Sequence, residues 1–244
     1  MSAWPVAYGR RVFDVLDSTL SEAGRIAPSL TRPTWILALE QTAARGRRGR
    51  AWSTARGNFA GTLILRRTEA PGFAALRSFV TSLALLRAFV ALTGQVDRFA
   101  LKWPNDVLLD GGKVAGILLE SSGDQLIIGV GVNLAHAPTV ADVEPGAVTP
   151  VSLAGAFDLK VSPEAFLELL AIEYAALETQ FTTYGFAPIR TAWLAHAARL
   201  GQVITARTMR EQTVGTFEDV DPEGNLILRT SSGAVAITAA DVFF

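Results

Sequence analysis

The chain has 244 residues, of which 50% are hydrophobic and 18% are charged, so it can bury a sizeable core. Its formal net charge of −1 argues against a general nucleic-acid-binding protein. It contains no cysteine and only two histidines, far apart in the sequence, so we expect neither disulfides, nor thiolate chemistry, nor a histidine-based triad or metal site.

Seven strands and four helices are predicted along residues 11–197. Apolar runs predict strands at 11–16, 35–41, 61–66, 98–102, 107–109, 114–121 and 125–134. Helices are predicted from an Asp17-Ser18-Thr19 cap to about 27, at 73–93, from Ser162-Pro163 to 184, and at 188–197. Residues 136–150 are rich in proline and predict a surface loop. The pattern favours an α+β fold with a mixed, mainly antiparallel sheet flanked by helices.

The most apolar stretch, residues 73–92, is interrupted by Arg77 and Arg87. It therefore predicts a core helix rather than a membrane span. The first residues lack the pattern of a signal peptide. A cytoplasmic protein without a membrane segment is expected.

After Leu200 the sequence pattern changes to short apolar runs separated by turn residues. Short strands are predicted at 203–207, 213–220, 226–230 and 234–238, with turn signals at 221–225 and 231–233. We therefore expect two domains, residues 1–198 and a small β-barrel of residues 199–244. So small a unit is expected to dock on the larger one rather than stand alone.

Residues 102–120 are the most informative segment and read KWPNDVLLDGGKVAGILLE. Two of the chain's three lysines, Lys102 and Lys113, lie here, whereas arginine supplies nearly all the remaining positive charge. A lysine ammonium is a compact point charge that can meet one phosphoryl oxygen or a carboxylate. Asp110-Gly111-Gly112 indicates a hairpin turn immediately before Lys113.

A basic loop lies upstream, where residues 40–58 read EQTAARGRRGRAWSTARGN. Forked guanidinium donors suit carboxylates and phosphates, and glycines allow close backbone approach. Trp52 adds an aromatic surface on which a base could stack. Alone, a basic run is more typical of a solvated loop, but the Gly-Arg alternation and the downstream lysine motif favour a ligand-binding loop.

Gly129 and Gly131 fall inside the last strand predicted for the first domain. Glycines in a strand indicate either the close approach of a ligand or backbone, or a β-bulge. No helix follows them, so a dinucleotide-binding fingerprint is excluded.

Together these segments resemble the biotin protein ligases. The signatures of that family are a Gly-Arg-Gly-Arg-Arg-Gly loop, matched at residues 44–49, and Lys-Trp-Pro-Asn-Asp leading to Gly-Lys-x-x-Gly-Ile, matched at 102–106 and 112–117. Residues 17–19, 129–133 and 237–244 continue the resemblance, which covers nearly the whole chain. It implies a catalytic domain similar to class II aminoacyl-tRNA synthetases and a C-terminal SH3-like β-barrel.

The resemblance also implies two-step acyl transfer. The biotin carboxylate would attack the α-phosphate of ATP, giving biotinyl-5′-AMP and pyrophosphate. A lysine amine of a biotin carboxyl carrier domain would then attack the mixed anhydride, giving an amide and releasing AMP. Neither step needs a protein nucleophile, because positioning and charge stabilisation suffice.

Roles for individual residues follow from the same resemblance. Lys113 would bridge the biotin carboxylate and the α-phosphate, and Arg47 would be a second catalytic residue in a loop that closes over the ligand. The implied biotin-binding residues are Ser18, Thr19, Gln41, Arg45, Lys113, Gly116 and Gly129. The implied ATP-binding residues are Arg47, Arg50, Trp52, Asn105, Asp106 and Asn133. Asp106 is also the candidate ligand for the Mg²⁺ that would accompany ATP.

Two residues depart from the family pattern. Ala44 replaces the first glycine of the basic loop, and Leu20 replaces an asparagine common after Asp-Ser-Thr. If the backbone at position 44 is left-handed, alanine is strained there by about 1 kcal/mol, and glycine would then bind biotin more tightly. Both departures bear on biotin affinity more than on the reaction.

Two other readings stay open at this point. The first is a lipoate or octanoate ligase, or an octanoyltransferase, on the same fold; the transferases use a cysteine that is absent here. The second is a non-catalytic protein that senses biotinyl-AMP, against which the retained Lys113 argues. The motifs begin close to the N-terminus, so a monofunctional enzyme without DNA binding is expected, with a homodimer left open.

Overall fold

The computed structural model describes residues 3–49, 52, 55–139, 141, 143–144, 146–208 and 211–243. Within these ranges the chain forms a seven-stranded mixed sheet and a five-stranded antiparallel sheet. Helices cover the larger sheet, so the predicted α+β fold is confirmed.

The larger sheet carries the residues that position the site. Its strands in chain order are β1 (Gly9–Leu16), β2 (Thr34–Gln41), β3 (Phe59–Arg66), β4 (Phe99–Lys102), β5 (Asp106–Leu109), β6 (Gly112–Ser122) and β7 (Gln125–Val132). Their spatial order is β1-β2-β3-β7-β6-β5-β4. Among these strands β1 and β2 form a parallel pair, and a helix connects them, as a parallel pair requires.

Helices pack on both faces of this sheet. They are α1 (Thr19–Ile26), α2 (Pro71–Ala75), α3 (Arg77–Thr93), α4 (Leu153–Phe157), α5 (Pro163–Tyr184) and α6 (Phe186–Leu194). Alternate residues of a strand face opposite sides. Accordingly Trp35 and Leu63 enter the main core beneath α3 and α5, whereas Ile36 and Ile64 enter a smaller apolar cluster beneath α1.

The helix predicted at 73–93 is two helices in the structure, α2 and α3, separated at Leu76. Apolar periodicity continues through so short a break, so the sequence could not indicate it. The segment from Pro71 to Thr93 is long and apolar enough to cross a membrane by composition alone. It lies in the protein core, with 67% of its most apolar window buried, as predicted for a core helix.

The second sheet consists of β8 (Val203–Arg207), β9 (Gln212–Val220), β10 (Leu226–Thr230), β11 (Gly233–Ile237) and β12 (Asp241–Phe243), in the order β11-β10-β9-β8-β12. The sequence missed β12, which is three residues long. Buried residues of this sheet, such as Phe217 and Leu228, belong to the same apolar cluster as the main core. Trp103 Nε1 also donates to the Gly224 carbonyl at 3.0 Å, so the two sheets are joined. The division at residues 198 and 199 stays a prediction.

Two further differences concern the segments around the second half of the larger sheet. The sequence missed α4, whose N-cap residue is Ser152. The Ser152 hydroxyl accepts a hydrogen bond from the Gly155 N–H at 3.2 Å. The described part of the predicted loop at 136–150 is not merely a surface connection, because Pro138, Val148 and Pro150 line the main cavity.

Candidate active site

A cavity of about 980 Å³ opens across the larger sheet beside the second one. Its walls come from the start of α1, the basic loop, the middle of β6 and β7, and β12. Eleven residues predicted for the site line it together: Ser18, Thr19, Gln41, Arg45, Trp52, Asn105, Asp106, Lys113, Gly116, Gly129 and Asn133. The fold therefore gathers into one cavity side chains that are far apart in the sequence.

The other two predicted residues are Arg47 and Arg50. All of Arg50 and the side chain of Arg47 lie outside the described residues. The backbone of Arg47–Gly49 forms a short 3-10 turn in which Arg48 takes a left-handed conformation, with φ of 57°. The placement of these two guanidinium groups stays a prediction.

The hairpin between β5 and β6 positions Lys113 at one end of the cavity, and the end of β4 positions Lys102. Asp110 and Gly111 both have positive φ, 50° and 79°, which is the backbone that a tight primed turn requires. Lys113 follows on β6, and its Nζ lies 2.7 Å from Asp106 Oδ1. The buried Lys102 places its Nζ 3.9 Å from the other carboxylate oxygen, Oδ2. One carboxylate thus stands between two ammonium groups, and we call these three residues the charged end.

Trp52 lies against the charged end. Its ring centroid is 5.4 Å from Lys113 Nζ, within cation–π range. A Cβ added at Gly131 would come within 2.5 Å of the indole, and one at Gly116 within 3.3 Å. Glycine is therefore required at position 131 of β7 because the Trp52 side chain lies so close to the backbone there. At Gly129 the close neighbour is Leu20, whose side chain lies 2.8 Å from the position of a Cβ.

The basic loop is held by acids that the sequence did not single out. Arg45 pairs with Glu120 at 3.0 Å and donates to Ser21 Oγ at 2.8 Å. Arg48 pairs with Asp241 of β12 at 2.6 Å. The loop is thereby tied both to β6 and to the second sheet. These acids stand 75 and 193 residues from their partners, so no local pattern could have found them.

At the start of α1 the cavity is lined by uncharged side chains, which are buried or half-buried. The Thr19 backbone N–H donates to Gln41 Oε1 at 2.7 Å, and the Thr19 hydroxyl donates to the same oxygen at 3.1 Å. The hydroxyl of Thr62, on β3, donates to Thr19 Oγ1 at 2.8 Å. Ser18 Oγ is buried without a hydrogen-bond partner among the described residues. We call Ser18, Thr19, Gln41 and Thr62 the neutral end.

The predicted helix cap is corrected in one respect by this geometry. Ser18 is the N-cap residue of α1, but its hydroxyl makes no capping hydrogen bond. Gln41 accepts the Thr19 N–H, so a residue of β2 satisfies a donor of the first turn. The neighbouring Asp17 instead receives the Arg25 guanidinium, whose hydrogen bonds hold the pKa of that carboxyl well below its ordinary range.

The two asparagines predicted to bind ATP make hydrogen bonds that shape the cavity wall. Asn105 Nδ2 donates to the Ile117 carbonyl at 2.6 Å. Asn133, which is buried, donates from Nδ2 to the Val151 carbonyl at 3.1 Å and to the Lys113 carbonyl at 3.4 Å. Asn133 therefore holds the backbone at Lys113, and Asn105 holds β6 four residues further along.

The strain considered at position 44 is absent. The described non-glycine residues with positive φ are Arg48, Asp110, Asp158 and Arg199, and Ala44 is not among them. Ala44 lines the cavity and its carbonyl accepts from the Trp52 N–H at 3.1 Å. An ordinary backbone tolerates alanine, so relief of backbone strain gives no reason for glycine to bind biotin more tightly.

Comparison with known proteins agrees with the geometry. The model of the biotin/lipoate A/B protein ligase family matches residues 12–133, and that of the biotin protein ligase C-terminal domain matches residues 200–244. The biotin–[acetyl-CoA-carboxylase] ligase of Paracoccus denitrificans is 54% identical over 93% of this chain and 97% of its own length. The bifunctional ligase/repressor BirA of Bacillus subtilis is 30% identical over 94% of this chain and 72% of its own.

A solved structure shares the fold. The biotin protein ligase from Aquifex aeolicus, in complex with biotin and ATP, superposes with a TM-score of 0.84 at 23% identity, covering 96% of this chain and 97% of that one. The two domain matches and the 54% identical relative show that the chain belongs to the biotin protein ligase family, and the cavity brings the motifs of the sequence together.

Proposed function

We propose that this protein activates biotin with ATP as biotinyl-5′-AMP and transfers the biotinyl group to a lysine of a biotin carboxyl carrier domain. The observation that carries the proposal is the position of Lys113, held by Asp106 inside a cavity whose other end is a neutral hydrogen-bonding cluster. The 54% identity to a biotin–[acetyl-CoA-carboxylase] ligase supports the same assignment.

The first step joins two anions, so the protein must offset their repulsion. In it the biotin carboxylate oxygen bonds to the α-phosphorus, and the bond to the pyrophosphate oxygen breaks. Lys113, which is 28% exposed, can reach both anions while Asp106 holds it in the cavity. A charge that is already oriented needs no reorganisation when the reaction occurs. The buried Lys102 adds a second positive charge behind it.

The ATP side of the proposal rests on residues around the charged end. Trp52, Asn105 and Asn133 line the cavity there, and Arg47 and Arg50 lie in the adjoining basic loop. We assign Trp52 to the adenine and the two arginines to the phosphates. The ion pair of Arg48 with Asp241 supports a loop that closes together with the second sheet.

Magnesium ordinarily binds through one or two carboxylates together with substrate phosphates. The described residues contain no group of three or more histidine, cysteine or acidic side chains that could hold a metal. Asp106 stands between two ammonium groups, which weighs against it as a direct ligand. We therefore propose that any Mg²⁺ enters on the phosphates of ATP, and we assign no step to it.

The biotin side of the proposal rests on the neutral end. The bicycle of biotin is largely apolar, with one cyclic urea that both donates and accepts hydrogen bonds. The hydroxyls of Ser18 and Thr19 and the amide of Gln41 match that urea, and Arg45 borders the same region. The dithiolane of lipoate and the chain of octanoate would leave these polar groups unmatched, which is costly in a buried site. Biotin is therefore favoured over either acid.

The remaining assignments are the partner, the location and the assembly. We propose a biotin carboxyl carrier domain as acceptor, from the name of the 54% identical relative. The net charge of −1 supports the absence of general nucleic-acid binding. The burial of the apolar helix supports a core helix rather than a membrane span, and a cytoplasmic location stays a prediction. A homodimer stays a prediction.

The proposed function is tested by pyrophosphate exchange into ATP with biotin, lipoate or octanoate as the acid. Of the three acids, we expect only biotin to support exchange. In a second assay with labelled biotin, we expect the biotinyl group to be transferred to a purified carrier domain. Exchange that prefers lipoate or octanoate would reassign the substrate. Binding of biotinyl-AMP without exchange would identify a sensor instead of an enzyme.

A further inference from the structure

Thr62 is a fully buried residue behind the cavity wall, and it lies outside both family signatures, at residues 44–49 and 102–117. It lies on β3, opposite Gly129 of β7 and Ile36 of β2. Its face of the sheet is the one beneath α1, where Leu20, Ile36 and Ile64 form the smaller apolar cluster. A hydroxyl placed there is shielded from water, so its hydrogen bond is electrostatically strong and has little competition.

The hydrogen bonds at the neutral end have a definite direction. A backbone N–H can only donate, so the amide atom of Gln41 that meets the Thr19 N–H at 2.7 Å must be the oxygen. The Thr19 hydroxyl lies 3.1 Å from that same oxygen and donates its single hydrogen bond to it. Thr62 must then donate to Thr19 Oγ1, across 2.8 Å.

This direction limits what the neutral end can present to a ligand. The Thr19 hydroxyl donates its one hydrogen bond to Gln41 and accepts one from Thr62, so it can offer a ligand only its second lone pair. The Gln41 oxygen already accepts from two donors, so its amide can offer only N–H groups. A cyclic urea requires this pair, an acceptor for its N–H and a donor for its carbonyl.

We propose that Thr62 sets the hydrogen-bond direction at the neutral end and thereby makes the site selective for a cyclic urea. This rests on the proposed function and identifies a positioning residue for it, one that acts through Thr19 without touching the ligand. Without the Thr62 hydroxyl, the Thr19 oxygen loses a fixed donor, and its proton is free to turn from Gln41 toward the ligand.

The test compares Thr62→Val with Thr62→Ser in pyrophosphate exchange. Valine removes the hydroxyl and keeps the branched shape that suits a strand, whereas serine keeps the hydroxyl. We expect Thr62→Val to raise KM for biotin about tenfold, with kcat and KM for ATP within about twofold of the wild type. Thr62→Ser should stay within about threefold. Thr34→Val is the matched control, a buried threonine of the same sheet whose hydroxyl bonds to the Arg32 carbonyl.

A double variant separates this role from a structural one. In a Thr19→Ala background there is no hydroxyl for Thr62 to direct, so adding Thr62→Val should raise KM for biotin less than twofold further. Thr62→Ala replaces valine if circular dichroism shows that the valine variant does not fold. An unchanged KM for biotin, equal changes in KM for ATP, or full additivity with Thr19→Ala would overturn the inference. Absence of biotin-dependent exchange in the wild type would instead reject the proposed function.

Discussion

The two ends of the cavity are built in contrasting ways. At the charged end the Lys113 side chain is 28% exposed, and its partner Asp106 is shared with a second lysine. At the neutral end Ser18, Thr19 and Thr62 are each 3% exposed or less. The Lys113 ammonium, which is proposed to meet the incoming anions, stays within reach of water, because complete burial of an unmatched ion costs too much. The buried Lys102 instead keeps the Asp106 carboxylate close to it. Neutral groups that must select a ligand gain from burial, because an unmatched partner is then penalised.

The largest effect is expected from Lys113→Ala, which removes the central charge of the charged end. Loss of one oriented charge should lower kcat for pyrophosphate exchange at least about 100-fold, while the fold is kept. Lys160→Ala is the matched control, because Lys160 is exposed and away from the cavity. Exchange by the Lys113 variant within tenfold of the wild type would contradict the assignment.

Asp106→Asn should lower kcat about tenfold, because Lys113 loses its anchor and two ammonium groups are left facing each other. Asp124→Asn, which breaks a surface pair with Arg66, serves as the control. The magnesium dependence of the Asp106 variant separates two roles. If Asp106 only positions the lysines, added Mg²⁺ will not restore the rate; restoration would assign it to the metal.

The link between the basic loop and the second sheet is expected to have a moderate effect. Arg48→Ala or Asp241→Ala should speed the release of biotinyl-AMP, measured without acceptor, about threefold, since partly exposed ion pairs contribute little. Glu218→Ala, which breaks the Arg229 pair in the same sheet, is the control. The double variant should release the adenylate no faster than either single variant; additive effects would show that the pair does not hold the loop.

Point variants test the role of the second sheet more cleanly than its deletion would. Removing residues after Leu200 would expose the main core, because Phe217 and Leu228 pack within it. A truncated protein would then lose adenylate synthesis and acceptor transfer together through misfolding. Equal losses in the two assays would therefore say nothing about acceptor docking.

The smallest effect is expected from Ala44→Gly at the cavity wall. Since Ala44 is not in the left-handed region, glycine relieves no strain and adds conformational freedom to the loop. Biotin should bind about twofold more weakly in a calorimetric titration. Tighter binding would mean that the alanine side chain obstructs the ligand.

Much of the fold was predictable because its signals are local. The Asp110-Gly111 turn and the Ser162-Pro163 helix start fix backbone geometry within a few residues, and both occur as predicted. The misses have physical reasons. β12 and α4 have only three and five residues, too few for a periodic signal. The break at Leu76 does not interrupt the apolar pattern on either side of it.

Most of the residues considered for the site could be named from the sequence, but the contacts between distant side chains could not. The family motifs named eleven of the residues that line the cavity. They did not name Thr62 or Glu120, whose partners lie 43 and 75 residues away along the chain. Strand register decides which distant side chains meet, and register depends on the whole sheet rather than on any single segment.

By itself, the sequence determined the α+β class, the turn that presents Lys113, and the family whose chemistry needs placed cations rather than a nucleophile. Only the tertiary structure decided that Asp106 stands between two lysines, that the second sheet shares the main core, and that the Thr62 hydroxyl donates to Thr19. Turn and helix signals act through neighbouring backbone dihedrals, which the sequence specifies directly. Ion pairs and hydrogen-bond direction arise between strands, after packing has brought them together.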